Sequence, residues 1–300
     1  MKMDKSNSSK IPHKCLLNIK AVYDILQSAE KKAVDFILTN PGEIANSTIV
    51  DIASKAKCSE ATIVRLAKRL GYEGFLELKG DFANIIKEHY FEYEKITEKD
   101  DFITVVKKVF DSSIAAINDT FDIMNIKEFE KALDAILSAN KIIFCGVGDA
   151  ALVAKEAYQK FTRIGQNCYT SIDCDIQLIL SSQLNENDVM VAISYSGRSR
   201  SVVKAVKIAK KSGAKVIAIT NFPISPLTKK SDIILQTAVF SKYATGEVIS
   251  KRIVELCIIE SLFINFILKK GQPIMDTLRK SNEAININKL WIGLVEVLIL

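Results

Sequence analysis

The chain has 300 residues, of which 48% are hydrophobic and 25% are charged, and its net charge at pH 7 is +6. This length predicts about two domains, and the composition excludes a chain that is mostly disordered. Six scattered cysteines without a C-x-x-C pair argue against a zinc site or a disulfide framework, and they indicate reduced, buried thiols in a cytoplasmic protein.

The first predicted elements form a helical domain over residues 15–89. The polar residues 1–14 precede it, lack the apolar core of a signal peptide and are expected to be flexible. Ser28 is the expected N-cap of the second helix, and Asn40 begins the Asn-Pro-Gly stop that follows it. The periodic segments outside the centre of this domain are residues 16–27, 29–39 and 75–89.

The centre of this domain, residues 47–71, predicts two short helices joined by a tight turn. Thr48 and Asp51 have the Ser/Thr-x-x-acid spacing that begins a helix. Ser59 is placed to cap a second helix, which Gly71 would end. Two helices joined by so short a turn must cross steeply, as in a helix-turn-helix.

The second of these helices is distinctly basic. Between Lys55 and Arg69 there are five basic residues and one acidic residue, Glu60. A solvated helix face is the plain interpretation, since most charged faces are only that. We favour a recognition helix for the DNA major groove, because capping, turn length and charge agree. The predicted DNA-binding residues are Ser59, Thr62, Arg65, Lys68 and Arg69.

Beyond a charged linker at residues 90–101, helical segments begin to alternate with short runs rich in Val and Ile. Such alternation predicts right-handed βαβ units in a parallel sheet that helices cover on both faces. The fold class is therefore α/β, with an N-terminal all-α helix-turn-helix domain and a C-terminal doubly wound parallel sheet over residues 102–285. The predicted strands are residues 141–145, 188–193, 215–219 and 233–235, and the longer helices are residues 102–124, 126–138, 150–161 and 248–268.

The loops after three of these strands are rich in glycine and hydroxyl residues. Because parallel strands end at one edge of a sheet, these loops should meet there. Backbone N–H groups, serine hydroxyls and a helix N-terminus all attract an anion. For the Ser194 to Ser199 hexapeptide alone, a tight turn with a capping serine is the plain alternative. The predicted anion-binding residues are Gly146, Gly148, Ser194, Ser196, Gly197, Ser199 and Ser225.

Both parts of the chain resemble one known family, the RpiR/MurR-type bacterial transcriptional regulators. The helix-turn-helix signature of that family is S-x-x-T-x-x-R followed by L-G-[FY]-x-G-[FY]-x-x-[LF]-K, and residues 146–268 resemble its sugar isomerase (SIS) domain. The signature residues are Ser59, Thr62, Arg65, Leu70, Gly71, Tyr72, Gly74, Phe75 and Lys79, and the SIS landmarks are Gly146, Gly148, Arg163 to Gly165, Ser194 to Ser199 and Ser225 to Leu227.

The resemblance implies a DNA-binding regulator, usually of sugar catabolism genes, that needs no cofactor. Its implied partners are a double-stranded DNA operator, a phosphosugar effector at the anion site, and further copies of itself in a homodimer or homotetramer. One departure is Ala150, where the family commonly has a serine that helps to hold the phosphosugar. Losing that hydroxyl would weaken binding by about 1.5–3 kcal/mol if nothing replaces it.

A sugar-phosphate isomerase or lyase is the alternative, because SIS domains also occur in enzymes. Isomerisation needs a base and an acid, roles that usually fall to Glu and His. His13 and His89 both precede the predicted sheet, and Glu247 is the best-placed carboxylate for a base. An isomerase has no evident use for a basic helix-turn-helix, so we expect binding without turnover.

The C-terminal tail, residues 286–300, ends in an apolar stretch from Leu290 to Leu300. That stretch is shorter than the roughly 18 apolar residues that a membrane span requires. We expect it to pack against the body of the protein or a partner subunit, with a membrane-touching tail as the less favoured alternative.

Overall fold

A computed structural model describes residues 13–83, 96–240 and 250–288, and its first part is a bundle of helices that we call the head. The predicted helix at residues 75–89 is described as far as Ala83, and the predicted flexible start and apolar tail lie largely outside the described residues. The head contains α1 (His13–Val22), a 3-10 turn (Tyr23–Ile25), α2 (Ser28–Thr39), α3 (Pro41–Ile44), α4 (Ile49–Lys55), α5 (Glu60–Arg69) and α6 (Phe75–Ala83).

The caps of α4 and α5 confirm the predicted helix-turn-helix. The backbone N of Asp51 donates to Thr48 Oγ1 at 3.2 Å, and the backbone N of Thr48 donates to Asp51 Oδ2 at 3.0 Å. At the start of α5 the backbone N of Thr62 donates to Ser59 Oγ at 3.2 Å. Gly71, with φ of +83°, ends the helix in the left-handed region that glycine adopts without strain.

The predicted N-cap Ser28 is wrong. Gln27 is the N-cap of α2, and Ser28 is the first helical residue. The reason is Glu30, three positions after Gln27, whose Oε2 accepts a hydrogen bond from the backbone N of Gln27 at 3.0 Å. Gln27 and Glu30 therefore form the capping box, so the helix begins one residue earlier than a Ser28 N-cap predicts.

The second part of the chain is the predicted parallel sheet, with strand order β2-β1-β3-β4-β5. The edge strand β2 was not predicted, because it has three residues and only Cys168 in it is buried. Helix α13 was not predicted either. The elements of this sheet domain are α7 (Phe102–Asp122), α8 (Ile126–Ser138), β1 (Ile142–Cys145), α9 (Asp149–Arg163), β2 (Cys168–Thr170), α10 (Cys174–Ser182), β3 (Val189–Ile193), α11 (Arg200–Lys211), β4 (Lys215–Thr220), a 3-10 turn (Thr228–Lys230), β5 (Ile233–Gln236), α12 (Lys251–Lys270) and α13 (Gln272–Asn286).

Side chains of the three central strands, β1, β3 and β4, alternate between two hydrophobic cores. In β3, Val191 and Ile193 join the core beneath α8, α9 and α12, whereas Met190 and Ala192 join the core beneath α11. Phe161 of α9 lies at the centre of the first core, with its ring 5.5 Å from that of Phe266. Because both faces are covered, a ligand has access to the sheet only beyond the ends of its strands.

The head packs against the sheet domain. Leu17 of α1 is buried against Ile123 and Ala238, and Ile224 packs against the hydrophobic core of the head. The ammonium group of Lys20 lies 5.9 Å from the ring centroid of Phe240. Ile224 follows β4, and Ala238 and Phe240 follow β5, so the head lies close to the edge where the anion site is predicted.

All six thiols lie in the described part of the chain, and none forms a disulfide. Burial raises the pKa of Cys15 and of Cys145 to about 12, which leaves both thiols protonated and unreactive at neutral pH. Cys257 departs from the expectation of buried thiols because it is exposed on α12. Across the described residues, the structure has no helix with the length and apolar character needed to cross a bilayer.

Candidate functional site

Three loops meet at the carboxyl ends of β1, β3 and β4, which are neighbours in the sheet. Gly146 and Gly148 lie in the first loop, the serine loop (residues 194–199) follows β3, and the rim loop (residues 221–227) follows β4. The strand order reverses between β1 and β3, and open α/β sheets bind their ligands at such a switch point. The structure therefore brings the predicted anion-binding residues to one edge of the sheet.

The serine loop and the rim loop interlock at Gly197. This glycine has φ of +61°, and a Cβ atom added to it would lie 2.6 Å from Ser225 Cβ and 3.2 Å from Thr220 Oγ1. The backbone N of Leu227 donates to the Gly197 carbonyl at 3.0 Å. Glycine is required here both by the backbone conformation and by the close approach of the rim loop.

We expect Gly197→Ala to lower the free energy of unfolding by about 2–5 kcal/mol, since left-handed strain costs about 1–2 kcal/mol and overpacking about 1–3 kcal/mol. Urea unfolding measures the change. Adding Ser225→Gly removes the clashing side chain and should restore part of the loss. Gly74→Ala is the matched control, because an added Cβ there meets nothing within 4 Å. A Gly197→Ala protein as stable as the wild type would contradict the interlock.

The serines of the site divide into two groups. Ser225 is buried, and its hydroxyl accepts from the backbone N of Thr228 at 3.2 Å, so it supports the rim loop. Ser196 Oγ accepts from the backbone N of Arg198 at 3.2 Å and is half-buried. No hydrogen bond from the Ser194 or Ser199 hydroxyl is seen among the residues that the structure describes. Ser194 is buried, whereas the half-buried Ser199 offers its hydroxyl to a ligand beside the N-terminus of α11, where backbone N–H groups have no partner within the helix.

The first loop offers backbone rather than hydroxyl groups. A Cβ on Gly146 would lie 2.6 Å from the carbonyl carbon of Ala150, so α9 begins directly against the end of β1. Gly148, with φ of +63°, is the N-cap of α9 and has no side-chain cap. Ala150 is buried in the first turn of that helix. The hydroxyl that the family commonly has at this position is thus absent at the place where a ligand would meet the helix N-terminus.

Sequence reasoning missed a charged cluster beside these loops. Lys251 Nζ lies 2.7 Å from Asp149 Oδ2, and this hydrogen bond holds the pKa of Asp149 below its usual value. Glu255 is only 2% exposed, burial raises its pKa to about 8, and within the described part of the chain its carboxyl group has no hydrogen-bond partner. The same carboxyl raises the pKa of Tyr195 in the serine loop, although burial of Tyr195 contributes more.

A sequence signal for Glu255 existed. Its neighbours Val254, Ile258 and Ile259 are all buried along one side of α12, so a glutamate stands where the helical period requires an apolar residue. Glu247, which was the predicted base for an enzyme, lies outside the described residues.

The predicted DNA-binding residues of α5 do not all point outward. Ser59 and Lys68 are exposed, and the Arg65 side chain is 54% exposed. Thr62 is buried, and its hydroxyl lies 2.9 Å from that of Ser59. The Arg69 side chain is 29% exposed. The outward face of α5 thus carries Ser59, Arg65 and Lys68, whereas Thr62 and Arg69 face the body of the head.

Two of these arginines approach a fully buried carboxylate. Oε1 of Glu30 in α2 lies 3.3 Å from Arg65 Nε and 3.1 Å from Arg69 Nε, and Glu30 has no exposed surface. An unpaired buried carboxylate costs several kcal/mol. Both arginines therefore help to hold α5 against α2, and Arg65 combines this role with an exposed guanidinium group.

Two family models match the chain in the order that the resemblance implies. Residues 13–89 match the helix-turn-helix domain of the rpiR family, and residues 135–264 match the SIS domain. Together they cover the head, the sheet and the loops that form the candidate site.

Known proteins match almost the whole chain. An uncharacterised HTH-type transcriptional regulator of Thermotoga maritima is 35% identical over 271 residues, which is 89% of this chain and 96% of the relative. The HTH-type transcriptional regulator HexR of Pseudomonas aeruginosa is 28% identical over 90% of this chain and 95% of HexR. The structure of Vibrio vulnificus NanR in complex with ManNAc-6P has a TM-score of 0.58 and 22% identity, and it covers 92% of this chain and 99% of NanR. The fold, the motifs and these relatives together show that the chain belongs to the rpiR family of helix-turn-helix transcriptional regulators that carry a SIS domain.

Proposed function

We propose that this regulator binds a double-stranded DNA operator through α5, and that a phosphosugar bound at the loop edge of the sheet changes operator affinity. Residues 15–89 would be the DNA-binding domain and residues 102–285 the sensing domain of a cytoplasmic protein that acts on sugar metabolism genes. The observation that carries the proposal is the meeting of the serine loop, the first loop with Gly146 and Gly148, and the α11 N-terminus at one edge, because each favours a phosphate group.

The DNA-binding half of the proposal rests on the outward face of α5. Ser59 lies at the N-terminal end of the helix, where recognition helices contact base edges, and Arg65 and Lys68 are suited to a guanine or to phosphates. Thr62 and Arg69 would act indirectly, by keeping the helix in place.

Lys68→Ala should weaken binding to all duplexes about equally and reduce the slope of log K against log salt by about 1, because one phosphate contact is lost. Fluorescence anisotropy at several salt concentrations measures this, with a duplex that the wild-type protein selects from a random-sequence pool. The exposed Lys127 in α8 provides the control, Lys127→Ala, which should change neither quantity. An unchanged salt slope in the Lys68 variant would exclude a phosphate contact at that residue.

The sensing half is tested by adding N-acetylmannosamine 6-phosphate, glucosamine 6-phosphate or glucose 6-phosphate to the same DNA titration. The NanR structure, which contains ManNAc-6P, supports a ligand of this class. We expect one sugar phosphate to shift the DNA dissociation constant, and Ser199→Ala to reduce that shift while leaving DNA binding in its absence unchanged. A ligand changes affinity only by binding one conformation better than another, so equal affinity in all titrations would count against sensing of these sugars.

Catalysis is less well supported than sensing. His13 begins α1 in the head, and His89 lies outside the described residues. The described edge of the sheet therefore supplies carboxylates but no histidine for proton transfer. Nuclear magnetic resonance of the same sugar phosphate mixtures should show bound ligand and no product; steady conversion would favour the isomerase or lyase alternative.

We also propose a homo-oligomer, built in part through α7. One side of this helix exposes apolar side chains at spacings of three and four residues, which is the pattern of a helix that packs against another helix. Two of them, Phe110 and Phe121, are 67% and 70% exposed. A second copy of α7 presents the same pattern and would cover it. The residues of this stripe are Ile103, Val106, Phe110, Ile114, Ile117 and Phe121.

Phe110→Glu is expected to shift the oligomer toward monomer by at least about tenfold in dissociation constant, because a charge would be buried in the apolar stripe. Sedimentation velocity over a range of concentrations measures the shift. Ile172→Glu, at an isoleucine that is 78% exposed and not part of α7, is the control. Identical sedimentation of the Phe110 variant and the wild type would show that α7 does not form the interface.

A further inference from the structure

We infer that the structure shows a DNA-excluded conformation, in which the outward face of α5 is held opposite the rim loop, and that the serine loop controls this contact. The inference rests on the proposed function, because it explains how a ligand at the edge of the sheet would reach the DNA-binding helix. It goes further in naming the contact that must break before DNA binds.

The rim loop lies across from α5. Its Pro223 and Ile224 line an open cavity of about 730 Å³ that α5 and Gly71 line on the other side. Ile224 also packs against the hydrophobic core of the head. The α5 residues that line this cavity are Ala61, Val64, Arg65, Lys68 and Arg69.

This cavity lies where a DNA duplex would have to sit. A recognition helix lies in a major groove about 12 Å wide with a phosphate backbone on each side, and Pro223 and Ile224 line the space beside that face of α5. Both Arg65 and Lys68, which the proposed function places on DNA, line the cavity. DNA and the rim loop therefore compete for the same face of α5.

The rim loop is tied to the serine loop at both of its ends. The backbone N of Asn221 donates to the Tyr195 carbonyl at 3.0 Å, and the backbone N of Leu227 donates to the Gly197 carbonyl at 3.0 Å. A segment held at both ends follows the displacement of its anchors. A ligand that repositions the serine loop would thus also move Ile224 relative to the head.

Asn221 makes a second connection to the head. Its Oδ1 accepts from the backbone N of Val239 at 2.7 Å and from Thr237 Oγ1 at 3.1 Å. The next residue, Phe240, packs against the core of the head. The rim loop and the 237–240 segment, which both support the head, are therefore joined through one buried side chain.

The test uses the full-length protein and the DNA duplex selected by the wild type. Ile224→Ser should bind this duplex about tenfold more tightly than the wild type, because it weakens the apolar contact without adding a charge, and a DNA-competent state that is rarely populated lowers the apparent affinity in proportion. Ile172→Ser, at an exposed isoleucine that does not line the cavity, is the matched control. Equal affinity of the wild type and the Ile224 variant would overturn the inference. Failure of both to bind any duplex would instead overturn the proposed function.

A second measurement needs neither DNA nor sugar. Val64→Cys places a thiol in the cavity, and mass spectrometry of the α5 peptide gives its rate of reaction with a maleimide. Ile224→Ser should raise this rate several-fold, and so should Gly197→Ala at a temperature where it remains folded, because both loosen the rim loop. An unchanged rate with Ile224→Ser would show that Ile224 does not shield α5. An unchanged rate with Gly197→Ala would show that the serine loop does not control this contact.

Discussion

Replacing Arg65 and Arg69 together by alanine is expected to lower the stability of the head by about 3–5 kcal/mol, which is the usual cost of leaving a buried carboxylate without its partners. The carboxylate is Glu30, which has no exposed surface and lies 3.1–3.3 Å from both guanidinium groups. Arg69→Ala alone should cost more than Arg65→Ala, because the Arg69 side chain is the less exposed of the two.

Urea unfolding followed by circular dichroism measures this loss. Adding Glu30→Gln to the double variant should recover most of it, because glutamine removes the charge and still reaches the backbone N of Gln27. Lys68→Ala, on the exposed face of α5, should leave stability unchanged. If the double variant were as stable as the wild type, Glu30 would have to find another partner or accept water. Loss of DNA binding in an Arg65 variant is interpretable only after this measurement.

Glu255→Gln is expected to raise the free energy of unfolding above that of the wild type at alkaline pH. Near pH 5 the two proteins should be about equally stable. The carboxyl group of Glu255 has an ordinary pKa of 4.5, and burial raises this pKa to about 8 in the folded protein. Between these two values the folded state holds a proton that the unfolded state has lost, so the wild-type free energy of unfolding falls as pH rises. Each pKa unit corresponds to about 1.4 kcal/mol, which makes the full loss on the order of several kcal/mol above pH 8.

The comparison requires unfolding free energies of both proteins from pH 5 to pH 9. Among the described residues, the charged groups that act on the Glu255 carboxyl are Lys251, Asp149 and Arg252. Tyr195 faces the same carboxyl, and its pKa of about 12 keeps it neutral throughout this range. Glu186→Gln, at an exposed loop residue, is the control and should follow the wild type at every pH. Parallel curves for Glu255→Gln and the wild type would show that the carboxyl is hydrated in solution.

Local patterns were sufficient for much of the fold. The capping box of Thr48 and Asp51, the Ser59 cap and the Gly71 stop are short-range hydrogen-bonding rules, and the structure confirms each of them. Four of the five strands were predicted because their apolar runs are continuous. The fifth, β2, has no such run, because pairing with β1 rather than its own side chains makes it a strand.

The charged residues at the two sites were harder to interpret. In the sequence, Glu30 is an ordinary helix-start glutamate, and its burial follows only from the packing of α2 against α5. From the sequence alone, Arg69 is likewise predicted to contact a DNA phosphate. The structure instead places it beside Glu30. The meeting of Asp149 with Lys251 depends on α9 and α12 beginning at the same edge of the sheet. Such contacts between distant segments have no local pattern from which to predict them.

The interlock between Gly197 and Ser225 limits which substitutions the serine loop accepts. A combinatorial library that varies position 197 alone should return glycine, whereas varying 197 together with 225 opens pairs in which a smaller partner makes room for a larger one. Diversity aimed at the proposed ligand site is better placed at Ser199, which is half-buried and makes no side-chain capping hydrogen bond to α11.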